Sequence, residues 1–140
     1  MTTVARPRRA PRRNTALEKI VLAALDEMKA VNIKLLDVRG LTDFADSMIV
    51  ASGTSDRHVR SIAQRVLDRM RAAGLRPMGV EGQRDGEWVL VDLQDLVLHV
   101  MLPRVREFYG IEQLWESGGV SQRRPVAGSR RRVMARAAVN

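Results

Sequence analysis

The chain predicts an α+β domain: a mixed sheet of about five strands, two main helices packed on one face, and a short helix near the C-terminal end. Three observations carry this expectation. Two segments repeat apolar residues at steps of three and four, the spacing of an amphipathic helix. Short runs rich in Val, Ile and Leu lie between them, bounded by turn-forming residues. The whole chain is 140 residues with 45% hydrophobic content, enough for one cored domain and too short for two ordinary ones.

The first helix begins at Thr15, a good N-cap, with Glu18 three residues on as its capping-box partner. Leu17, Ile20, Val21, Ala24, Leu25 and Met28 form its apolar stripe, and it ends near Ala30. Ile33–Val38 reads as a short strand. Asp46–Ser52 reads as a second strand with apolar residues on both faces, which suggests a central position. Gly53-Thr54-Ser55-Asp56 turns into the second helix. Ser55 is its expected N-cap, and Asp56 suits the positive helix start. Val59, Ile62, Ala63, Val66, Leu67, Met70 and Ala73 make the clearest helical stripe in the chain, and Gly74 suits the position just past its end. Pro77 to Gly82 is a short edge. Glu87–Asp92 and Asp95–Leu102 form a hairpin around Leu93-Gln94. The chain breaks at Pro103, forms a short helix over Arg104–Tyr109, and closes with Ile111–Trp115.

If Asp92 pairs with Asp95, then Trp88 faces His99 and Leu90 faces Val97. The opposite face holds Val89, Val91, Leu96, Leu98 and Val100, all apolar and suited to pack on the helices. The Trp88 face, with His99, Met101 and flanking acids, has the look of a protein interface with an aromatic anchor. It equally suits a core covered by the terminal segment with Phe108, Tyr109 and Trp115.

The net charge of +8 is unevenly spread. Residues 1–15 carry five arginines and residues 117–140 carry six, with no acid in either, while residues 16–116 have a net charge of −3. The expected organisation is a disordered basic tail (1–15), a mildly acidic domain (16–116) and a second disordered basic tail (117–140). Arginine-rich ends can grip phosphates without reading sequence, or serve only as solubilising extensions. There is no cysteine, so disulfides, thiolate zinc sites and thiol nucleophiles are excluded. No run approaches the roughly 18 apolar residues of a membrane span, and a cytoplasmic location is expected.

The search for chemistry is short. Two histidines make a zinc site a poor fit. Ser55 and His58 are close in sequence, but Ser55 is better explained as a cap. The Gly53-Thr54-Ser55 turn lacks the pattern of a P-loop. Asp92 and Asp95 flank a turn and do not form the paired carboxylates that a nucleotidyltransferase uses to hold magnesium. The expectation is therefore no enzyme, no cofactor and no metal. Glu81, Asp85, Glu87, Asp92 and Asp95 suit a basic partner, or a solvated hairpin edge.

Three segments, LLDVRGLTDFADSMIVASGTSDRHVRSIA, GLRPMGVEGQRDGEWVLVDLQDLVLHVM and REFYGIEQLW, carry a family pattern in order and spacing. Over about Ala16 to Trp115 the chain resembles the Iojap-like family, the ribosomal silencing factors. The resemblance implies a fold similar to nucleotidyltransferases without the active site. It implies a translational repressor that docks on the large ribosomal subunit through ribosomal protein L-fourteen and blocks small-subunit joining under nutrient limitation. It also allows a role in ribosome assembly and a homodimer off the ribosome. Trp88, Asp92 and His99 match the hairpin motif. Arg106, Tyr109, Glu112 and Trp115 match the R-x-x-Y-x-x-E-x-x-W ending, and Glu81-Gly82 and Asp46 also match. The expected partner-binding set is thus Trp88, His99, Met101, Arg106, Tyr109, Glu112, Trp115, Glu81 and Asp92. Asp46, Ser52 and Gly53 are expected to shape the backbone. The alternatives are a nucleotidyltransferase-type enzyme and an RNA-binding module acting through the tails, which would contact ribosomal RNA.

Overall fold

Asn14, not Thr15, caps the first helix: its side-chain oxygen accepts the Leu17 N–H at 3.0 Å. Asn is the stronger cap of the two, so Thr15 falls inside the helix and the expected capping box does not form. Glu18 instead turns into the core, where its carboxylate accepts the Ser47 hydroxyl at 2.6 Å. The computed structural model that shows this describes residues 14–116. The expected disordered ends lie outside the described residues, except that Asn14 and Thr15 belong to the helix and its cap.

The elements are α1 (Thr15–Glu27), β1 (Val31–Asp37), β2 (Ser47–Ser52), α2 (Asp56–Ala72), β3 (Gly79–Glu81), β4 (Trp88–Asp92), β5 (Leu96–Met101), α3 (Pro103–Tyr109) and α4 (Ile111–Glu116). The five strands form one sheet in the order β1-β2-β5-β4-β3. β2 and β5 run parallel, and every other neighbouring pair is antiparallel. β2 is buried along its whole length, as its two-sided apolar pattern predicts.

The sheet has two covered faces. Ile49, Ala51, Val89, Val91, Leu96, Leu98 and Val100 share the face of Ser47, which bonds to α1. α2 packs on β4 and β5 as well as on α1. Met48, Val50, Leu90, Val97, His99 and Met101 share the face of Ser52, whose hydroxyl accepts a bond from Arg106 of α3. The expected single C-terminal helix is two short ones. Gly110, with φ of 54°, ends α3 and redirects the chain into α4. Pro103 opens α3 rather than breaking the chain, because a first-turn residue needs no N–H.

The hairpin register differs from the expected one. Trp88 pairs with Met101, Leu90 with His99 and Asp92 with Val97. Asp95 is not available to pair with Asp92, because its carbonyl accepts the N–H groups of Asp46 and Ser47 next to β2. The turn lengthens instead: the Asp92 carboxylate accepts the Gln94 N–H, and Gln94 takes a left-handed conformation. Each pairing moves by two positions, so no side chain changes face.

Candidate functional site

The groove begins at Trp88, the first residue of β4. Just before β4 the chain passes through Gly82, at φ of +89°, where a Cβ would run into the Trp88 carbonyl. Only glycine suits both the backbone angle and the close approach. Half-buried at this edge, Trp88 donates its indole N–H to His99 Nδ1 at 2.9 Å. Its ring lies 5.4 Å from that of Tyr109 in α3, and Phe108 meets Tyr109 edge-on at 4.7 Å. Phe108 is 76% exposed, which makes it the most open large apolar side chain among the described residues.

Together with Gly82, Asp85, Glu87, Arg104 and Val105, these aromatics line a groove of about 490 Å³. A second cleft of about 500 Å³ adjoins it, sharing Asp85, Glu87 and Arg104 and reaching Thr54, Ser55 and Asp56 at the start of α2. Glu87 and Arg104 stand 3.6 Å apart at the surface. Asp56, Asp85 and Glu87 make the start of α2 an acidic place, poorly suited to a phosphate.

The expected contact set separates into three groups. Trp88 and Tyr109 line the groove, and Glu81 is exposed at the end of β3. His99 and Met101 are fully buried, which corrects their placement on an outer surface: α3 and α4 cover the sheet face that carries them. Asp92, Arg106, Glu112 and Trp115 have structural tasks. Asp92 shapes the hairpin turn. Arg106 bonds Glu112 at 2.9–3.0 Å and the Ser52 hydroxyl at 2.9 Å, tying α3 to both α4 and β2. Trp115 is buried edge-on to Phe44 at 5.9 Å. Phe108 and Arg104 were missing from the expected set. The usable signal was helical: with Val105 and Tyr109 turned inward four residues apart, Phe108 falls toward solvent.

Burial without a compensating charge pushes the His99 imidazole down to about 3, so it is neutral at any ordinary pH. Burial, and then the neighbouring Asp95 carboxylate, raises Asp46. Asp46 sits beside the β2 start, where its backbone links Val38 to Asp95. Gly53 leaves room for Val59 at the foot of α2, since a Cβ there would lie 2.8 Å from a Val59 methyl.

Ser55 and His58 do not form a nucleophile–base pair. The Ser55 hydroxyl accepts the His58 N–H as a helix cap. The His58 ring accepts the Thr54 N–H at Nδ1 and donates from Nε2 to the Met28 carbonyl at 2.8 Å, joining the α2 start to the α1 end. Among the described residues no three His, Asp or Glu side chains gather as a metal site.

Fold and site define a small mixed-sheet domain whose motif residues mostly hold its own helices in place, with an open aromatic groove rimmed by Asp85, Glu87 and Arg104. The chain belongs to the ribosomal silencing factor family: the family model described as "Ribosomal silencing factor during starvation" matches residues 11–139. That span reaches into both basic ends, beyond the Ala16–Trp115 stretch that carries the sequence motifs. The chain is 46% identical over 99 residues to ribosomal silencing factor RsfS of Chromobacterium violaceum, covering 71% of this chain and 81% of that one. A mouse relative, "Mitochondrial assembly of ribosomal large subunit protein 1", is 28% identical over 99 residues, covering 69% of this chain and 43% of the other. A crystal structure of a Chromobacterium violaceum protein superposes with a TM-score of 0.72 at 44% identity, covering 73% of this chain and 85% of that one.

Proposed function

We propose that this protein represses translation by docking on the large ribosomal subunit, through ribosomal protein L-fourteen, and standing where the small subunit must join. The observation that carries the reading is the open Trp88–Tyr109–Phe108 groove with Asp85 and Glu87 at its rim, in a chain of this family. Aromatic side chains set in a pocket are the usual anchors of a protein interface. Acids around them suit a basic ribosomal protein. The mouse relative's name, which concerns large-subunit assembly, supports a large-subunit partner. The action is occupation of a surface without catalysis, in the cytoplasm. Glu81 lies at the margin of the contact, and the arginine-rich ends add phosphate contacts with nearby ribosomal RNA. Off the ribosome, a homodimer using the same groove would compete with docking.

The test is co-sedimentation of the full chain with purified large subunits, followed by addition of small subunits. Binding of the large subunit and fewer joined particles are expected. Undiminished joining at saturating protein would reject the reading. A titration with nucleotide and magnesium tests the enzymatic alternative, which would show saturable binding with turnover.

A further inference from the structure

Among the described residues a single buried side-chain nitrogen or oxygen lacks a hydrogen-bonding partner, and it is His99 Nε2. Stranded polar atoms in a core are costly and uncommon, so each one calls for a reason. His99 is fully buried in β5, on the sheet face it shares with Val50, Leu90, Val97 and Met101. Its Nδ1 accepts the Trp88 indole N–H at 2.9 Å. Accepting there puts the ring proton on Nε2, so the stranded group is a donor. A leucine would fill a similar volume and strand nothing. What the imidazole supplies, and leucine does not, is an acceptor beneath Trp88. Trp88 is only half-buried, so without that acceptor its N–H can find a partner by swinging outward to water.

We propose that His99 is a positioning residue for the groove: at a cost in core stability it fixes the Trp88 indole in the orientation a protein partner meets. This rests on the reading of the groove as the docking surface. Its consequence is that stability and binding respond in opposite senses. His99→Leu removes the stranded donor and the acceptor together. Its thermal midpoint should stay level or rise, while the Trp88 indole proton loses its protection from solvent exchange and large-subunit affinity falls about tenfold. His99→Asn sets an amide oxygen where Nδ1 stands, in a smaller side chain. Its midpoint should fall, while indole protection and affinity remain within about threefold of the unchanged protein. A purely structural role would rank both variants the same way in both measurements.

The experiment uses the full chain, whose two tryptophans give two indole N–H signals, with Trp115 as internal reference. Undiminished affinity in His99→Leu, parallel losses of midpoint and affinity in both variants, or failure of His99→Leu to fold would each overturn the inference. Trp88→Ala is measured alongside. If it keeps full affinity, the docking reading falls and the inference with it. If it loses affinity while His99→Leu does not, only the positioning role falls.

Discussion

A methyl group on Gly82 would collide with the Trp88 carbonyl oxygen at a backbone angle that side chains avoid. Gly82→Ala should therefore cost on the order of 3 kcal/mol in urea denaturation and shift the Trp88 indole signal, because the strain falls on the first residue of β4. His99 gives the molecule a pH dependence with a definite sign. Its folded pKa is depressed to about 3 from 6.5, so on acidification the unfolded chain takes up this proton first. The stability tied to the neutral ring is complete above pH 6.5 and is lost as pH falls toward 3, by up to about 1.4 kcal/mol per unit. Urea titrations at pH 7 and pH 5 should differ by about 2 kcal/mol from this group alone, and His99→Leu should abolish that part of the difference. Trp88 and Tyr109, which line the groove, stood out in the sequence because they are rare aromatics in a motif. Burial of His99 and Met101 was one of two readings left open, since strand alternation alone does not say whether the later segment covers that face.

Arg106 holds α3 and α4 as one unit, since its guanidinium reaches the Glu112 carboxylate and the Ser52 hydroxyl together. The side chains of the pair are only 10% and 21% exposed, so removing the cation leaves a largely desolvated carboxylate behind. Arg106→Ala should cost about 3 kcal/mol, and amide exchange should accelerate over residues 103–116 before the rest of the sheet. The sequence pattern indicated a short helix over Arg104–Tyr109 and a closing Ile111–Trp115 segment, but did not mark that segment as a second helix redirected at Gly110. The hairpin gives a similar lesson. Alternation of apolar residues told which side chains share a face, because that depends only on a period of two. The register depended on Asp95, whose carbonyl is engaged by Asp46 and Ser47 far away in sequence. The helical stripe of α2 needed no such long-range information, and its Ser55 cap and Gly74 end stand where the pattern put them.

At the scale of the whole molecule, charge and shape divide the labour. Residues 16–116 carry −3, and the eleven arginines outside them account for the positive total. Replacing the six arginines of residues 117–140 by glutamine should weaken large-subunit binding and flatten its salt dependence, leaving the thermal midpoint unchanged. Binding measured across a salt series would show this, and an unaltered slope would assign those arginines no phosphate contact. The mixed sheet was readable from the interleaving of patterns, while the covering of its second face by the terminal segment stayed one of two readings, since two helices of six and seven residues leave little periodic trace. That second covering has a consequence for biosynthesis. One wall of the groove comes from Pro103–Tyr109, which follows all five strands in the chain. A nascent chain that has only reached β5 already possesses Trp88 and His99, yet has nothing to stack against them. The groove therefore gains its second wall only once α3 has been translated, and a nascent chain that stops at β5 carries Trp88 on an open sheet edge.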